Sequence, residues 1–131
     1  MMQPGKYYIG DLCYVMHGEW DEFCSLTIVG DKVLDGEFNL KDGRRFATFT
    51  TAWGDGNYFD QNGKSYDVDA GLIGCIRLDD IDMTNPENSL VGGNIVEFVQ
   101  PFSTFKAGGE IRIGNVLIDT DPAEVEEEEC Y

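Results

Sequence analysis

Three soft donors lie near the start of the chain, spaced as Cys13-x3-His17-x6-Cys24. Thiolate and imidazole are zinc ligands, but a structural zinc site takes four, usually from short knuckles of the C-x2–4-C or H-x3–5-H kind. Neither knuckle is present here. The same residues offer a second chemistry, a nucleophilic thiol with His17 as its base, which needs a cationic or helix-N-terminal setting to lower the thiol pKa. Asp11, Glu19, Asp21 and Glu22 surround the segment instead, and nearby negative charge disfavours a thiolate. The simpler expectation has Cys13 and Cys24 packing as small hydrophobes, with His17 in a turn before Gly18.

Residues 53–71 (WGDGNYFDQNGKSYDVDAG) carry Asp55, Asn57, Asp60, Asn62, Asp67 and Asp69. A hard cation such as calcium wants six to eight oxygens, which alternating Asp and Asn beside glycine can supply from one loop. The calcium-loop pattern D-x-[DN]-x-[DN]-G-x5-E is not met, because Asp60 and Asn62 fall too near Gly63 and no closing Glu follows. Turn chemistry accounts for most of these residues without an ion, since Asx side chains bond to local backbone N–H groups. Paired carboxylates for general acid/base work would require Asp67 and Asp69 to share a strand face across from Asp60. A metal is left open, and no cofactor is expected.

Around these groups stands a chain of 131 residues with 25 acids and 9 bases, a net charge of −16, and 42% hydrophobic residues. That is one domain with enough apolar content for a core. No run approaches the roughly 18 apolar residues of a membrane helix, and no basic segment precedes an apolar leader. No membrane partner is therefore expected, and the expected compartment is cytoplasmic. Charge of this sign excludes direct binding of nucleic-acid backbones by net electrostatics, but it suits a protein that is itself the polyanion.

The charge divides in two. Residues 1–118 carry −9, and residues 119–131 hold seven acids and no base. Pro122 ends whatever strand precedes it, so a single β-rich domain is placed at residues 1–121 and a solvated acidic tail at 122–131. Residues 77–88 (RLDDIDMTNPEN) read as an exposed acidic loop around the Asn85-Pro86 turn. The four cysteines are widely spaced and Cys75 sits in an apolar strand. Free thiols in a reducing compartment are the expectation, with disulfides the alternative.

Period-2 patterning dominates the elements. Residues 7–9 form a strand, and 12–16 resume it as a partner or a bend. Residues 19–26 form the one helix, with Trp20, Phe23 and Cys24 on one face and acids early in the segment. Residues 33–40 and 45–51 flank Asp42-Gly43, and 57–60 and 64–68 flank Asn62-Gly63, giving two hairpins, the second with a type I′ turn. Residues 72–78 form a buried central strand, followed by strands at 94–99, 102–106, 110–113 and 116–119. The fold class is mainly β, an antiparallel barrel or sandwich of eight to nine short strands with one short helix. Its expected core is Tyr8, Val15, Trp20, Phe23, Phe38, Phe46, Phe49, Ile73, Cys75, Ile76, Phe98, Ile111, Ile113 and Leu117.

The segments YYIGDLCYV (7–15), WDEFC (20–24), TAWGDG (51–56) and VDAGLIG (68–74) resemble a family of small uncharacterised proteins of bacteria, phages and large DNA viruses. The family pattern is roughly YYIGDPCYV, W..FC, then TAYGDG.Y.D..G..Y.VDAG.IG, and the resemblance spans residues 6–78. Leu12 stands where the pattern has Pro, and Trp53 where it has Tyr. The resemblance implies no catalytic role. It does place Asp11, Asp55, Asn57, Tyr58 and Asp69 at turns, where they can line one ligand- or partner-binding surface.

The resulting expectation is a non-enzymatic accessory binding protein, such as a viral or phage inhibitor or nucleic-acid mimic, whose acidic surface engages a basic protein partner. A structural virion or assembly component is the first alternative. A cation- or small-ligand-binding protein, or a hydrolase using the Asp-rich turns, is the second. Oligomeric state is left open.

Overall fold

A computed structural model describes residues 1–121; the acidic tail and Cys130 lie outside the described residues. Among the described residues the fold is mainly β, with twelve short strands, one α-helix and several antiparallel sheets arranged like a sandwich rather than a closed barrel. In chain order, strand β1 (Gly5–Gly10) runs into a 3-10 turn at Leu12–Tyr14, then helix α1 (Trp20–Thr27). The expected strand at residues 12–16 does not form. Asp11 halts it with an extended backbone, and its side chain accepts the Cys13 N–H as an N-cap, which starts a helical turn instead.

Helix α1 feeds the two-residue strands β2 (Ile28–Val29) and β3 (Lys32–Val33), then β4 (Gly36–Asn39) and β5 (Arg45–Thr50). The single strand expected at 33–40 is thus split, because Asp35 leaves the ladder to accept the Thr50 N–H across the gap. Strands β6 (Gly56–Phe59) and β7 (Ser65–Val68) make the second hairpin, and β8 (Leu72–Arg77) the central strand. The β6–β7 turn is not type I′. Among the described residues no non-glycine residue has positive φ, and within this turn only Gly63 (φ 82°) takes the left-handed position. The Asp60 carboxylate shapes the loop instead, accepting the Asn62 and Lys64 N–H groups. After β8 come β9 (Asn94–Phe98), β10 (Thr104–Ala107), β11 (Glu110–Ile113) and β12 (Val116–Asp119).

Five strands form the main sheet in the order β4-β5-β8-β1-β9, and both its faces are covered. Alternation along β1, β5 and β8 sends Tyr7, Ile9, Ala47, Phe49, Ile73 and Cys75 to one side, where the β10-β11-β12 sheet and the β6–β7 hairpin close over them. Tyr8, Phe46, Leu72 and Ile76 point to the other, against α1 and the 3-10 turn. A strand buried on both faces must be apolar at every position, which is why β8 shows no alternation. Ring stacking runs through the helix layer from Trp20 to Phe23 (4.4 Å), Phe46 (5.0 Å) and Phe38 (5.6 Å). Among the described residues no helix is long and apolar enough to cross a membrane.

Three expected core residues are only partly buried: Trp20, Phe38 and Leu117. The first two end the aromatic column and face its rims. Leu117 is out of phase, because the β11–β12 turn pairs Ile113 with Val116, so Val116 and Ile118 point inward. Residues 77–88 are also not simply a surface loop. They begin with a 3-10 turn at Leu78–Asp80, and Ile81 and Asn88 are buried. Asn88 accepts the His17 N–H and donates to the Asp82 carbonyl, so it stitches this loop to the start of the helix layer.

One buried hydroxyl is out of place. Thr48, fully buried on β5, has an Oγ1 with no hydrogen-bond partner among the described residues. An unpaired buried hydroxyl costs about 1–3 kcal/mol. Thr48→Val keeps the branched shape and is expected to raise stability by about 1 kcal/mol, measured by urea unfolding. An unchanged or lower midpoint would mean that the hydroxyl is satisfied in solution.

Candidate functional site

Asp11 organises the site. It is fully buried, and its carboxylate accepts three backbone N–H groups: Cys13 at 3.0 Å on one oxygen, Asp69 at 2.9 Å and Ala70 at 2.6 Å on the other. A carboxylate so engaged is a structural clamp joining the turn after β1 to the loop before β8. Both of its oxygens are thus committed to backbone, away from solvent.

The TAWGDG loop lies alongside this clamp. Thr51 donates its N–H to the Gly71 carbonyl at 3.0 Å, and the β6–β7 register pairs Gly56 with Val68. That register places Asp55 and Asp69 at the same end of the hairpin, both exposed. Tyr58 is buried, and its hydroxyl donates to the Gly54 carbonyl at 2.9 Å, closing the loop. Asn57 lies on the outer face of the hairpin, opposite Asp67, to which its amide donates. The structure therefore gathers the segments around Asp11, Asp55 and Asp69 into one junction. Asp11 and Tyr58 are internal to it, and Asn57 stands on the adjoining solvent face.

Asp60 belongs to the other end of the hairpin. It accepts the buried Tyr66 hydroxyl at 2.7 Å as well as its two turn N–H groups. Burial alone would raise its carboxyl pKa, but hydrogen bonds from Tyr66, Lys64 and Asn62, together with the Lys64 charge, hold it below the usual carboxylate range. A depressed folded pKa gives stability that is present above the unfolded pKa and lost as pH falls through the folded one. Asp60→Asn is expected to flatten the acid side of a melting-temperature profile between neutral pH and about pH 3. A variant curve parallel to the parent's throughout would remove Asp60 as a source of that slope.

Two adjoining cavities open beside the junction. One, of about 290 Å³, is walled by Trp20, Phe23, Cys24, Ile28, Val33 and Leu72 among others. The second, of about 370 Å³, is lined by Cys13, His17, Trp20, Asp69 and Ala70. Trp20 and Ala70 border both. Cys13, His17 and an Asp thus share a rim, but the Cys13 thiol pKa is pushed up to about 12, first by burial and then by the Asp11 charge and its hydrogen bond. That shift favours the thiol over the thiolate, the opposite of what activates a nucleophile. Among the described residues, Cys13, Cys24 and Cys75 are free, and no group of three or more His, Cys, Asp or Glu is placed to hold a metal ion.

The cavity-lining role of Trp20 is absent from the sequence reading, which assigns it to the core. Its neighbours Glu19 and Asp21 are the signal: an aromatic flanked by acids at a helix start sits at the boundary between core and water. In comparisons with protein-family models, curated proteins and solved structures, nothing matches the chain.

Proposed function

We propose that the protein is a non-enzymatic accessory binding protein whose acidic surface engages a basic protein partner. The observation that carries this reading is a set of exposed carboxylates at the junction that no described cation neutralises. Arg44, Arg45, Lys106 and Arg112 are held in ion pairs with Glu19, Asp42, Glu37, Asp35 and Glu110. The exposed Asp55, Asp67 and Asp69 at the junction form no ion pair with any described cation. Unneutralised carboxylates on a rigid scaffold attract a positively charged surface, raise its association rate and select against acidic competitors. The engagement of the Asp11 carboxylate by backbone and the protonated Cys13 thiol support binding over catalysis.

The test is a pull-down with the full chain at about 50 mM and about 500 mM salt, a range across which screening of exposed charges tightens several-fold. Basic proteins are expected at low salt and their loss at high salt. The triple variant D55N/D67N/D69N is expected to lose them at both. Recovery of the same set at both salts, or by the triple variant, would refute the reading.

A further inference from the structure

We infer that the paired cavities beside the junction form an anchor site for an apolar residue adjacent to an arginine or lysine on the partner protein, with Trp20 as the wall between the two pockets. The inference rests on the acidic-surface reading and deepens it by naming the groove and the side chains it takes.

The apolar lobe presents Phe23, Ile28, Val33 and Leu72, a lining that rewards an aliphatic side chain by removing its surface from water. Charge decides what the second lobe takes. Its rim carries the exposed Asp69 carboxylate, which has no ion-pair partner among the described residues. Asp67 stands nearby on the same hairpin end, next to the half-buried Tyr14 across Gly92. The phenol of Tyr14 is pushed up, first by burial and then by neighbouring negative charge that includes Asp69, Asp11 and Asp67, as expected for a ring set among these carboxylates. No Lys or Arg lines either lobe, and His17 is the one basic side chain, on the second.

Trp20 suits the junction of the lobes. It is fixed by stacking on Phe23, with ring centroids 4.4 Å apart and planes within 9°, so the rest of the indole is what it offers to the cavities. An ammonium or guanidinium over an indole is attracted by the ring quadrupole, more strongly than over any other side chain. A cation placed here meets an indole and a carboxylate together, while its aliphatic stem lies along Ala70 and the apolar lobe. Preorganised walls of this kind reduce the ordering cost of binding.

The direct test uses isotope-labelled full-length protein and two probes, N-acetyl-Leu-Arg-amide and its neutral isostere N-acetyl-Leu-citrulline-amide, followed by amide and indole NMR shifts. The arginine peptide is expected to shift Trp20, Cys13, Asp69 and Ala70. The citrulline peptide should bind about fivefold more weakly, as should the arginine peptide to D69N. D69N spares the fold, because Asp69 contributes only its backbone N–H to Asp11, and W20L gives a second variant that empties the indole wall. Equal binding of both peptides, shifts confined to residues 77–88, or no shift at about 10 mM peptide would each overturn the inference. Salt-sensitive capture of a basic protein that D69N and W20L leave intact would overturn it too, while leaving the broader acidic-surface reading standing.

Discussion

Asp11→Asn is expected to lower the unfolding free energy by about 3–5 kcal/mol, although it changes only one atom of a fully buried side chain. The reason lies in donor and acceptor arithmetic. In the parent, both carboxylate oxygens accept, one from Cys13 and the other from Asp69 and Ala70. An asparagine keeps one oxygen and puts an NH2 in place of the other. Whichever way it turns, at least one backbone N–H then faces a donor in a buried site, and two do so if the carbonyl stays with Cys13. Each buried donor left unsatisfied costs about 1–3 kcal/mol, and the charge-assisted part of the remaining bonds is lost as well. A fall in melting temperature of about 10–20 °C follows for a domain of this size, read by calorimetry. A loss of less than about 1 kcal/mol would show that water replaces the missing acceptor. Because Asp69 and Ala70 border the Trp20 cavities, the variant should also broaden their amide signals in the folded state, which a remote destabilisation would not do.

Much of the fold is legible in the sequence, and the failures share a cause. The helix at 19–26 and the existence of both hairpins, though not the turn type of the second, are legible because each rests on a local rule: an apolar face at helical spacing, or a glycine in a turn. Leu117 goes wrong because period 2 fixes alternation but not phase. Phase is set by how the Gly114-Asn115 turn pairs Ile113 with Val116. The 3-10 turn at Leu12–Tyr14 is misread as strand because an apolar run says nothing about an aspartate whose carboxylate is committed to N–H groups at residues 69 and 70. The site divides along the same line. Asp69 and Asp55 lie exposed at a shared end, as turn residues should. Asp11 and Tyr58, drawn from the same motif segments, turn out to be the clamp and the latch beneath them, since residue type does not show which side of a turn faces inward. Trp20 as a cavity wall depends on Ala70 and Leu72 arriving from fifty residues away, which no window along the chain can see.

Gly74→Ala should cost about 4 kcal/mol or more, enough to leave much of the protein unfolded. The conformation at Gly74 is not the difficulty; the space is. A Cβ added there would lie 2.0 Å from the Ala47 carbonyl oxygen and 3.0 Å from Thr48 Cα, both backbone atoms of the neighbouring strand. A flexible side chain can swing aside, but a paired strand can yield only by opening its ladder. Gly74 is also flanked on both sides, by Thr48 on β5 and by Gly10 on β1, so relief toward one neighbour strains the other. Nor can β8 slip to escape, since a one-residue shift would exchange Ile73 and Cys75 with Leu72 and Ile76 between two differently shaped layers. Gly18→Ala is the matched control. Its added Cβ would find only Asn85 Nδ2 at 3.4 Å, and it should change stability by less than about 1 kcal/mol. If urea unfolding places the two variants together, close packing of β5 against β8 is not what holds the sheet, and the small residues at 10, 48 and 74 need another explanation. If they separate as expected, that row is required for the main sheet to form with a layer on each face, and so for the helix to reach the loop that it shares a groove with.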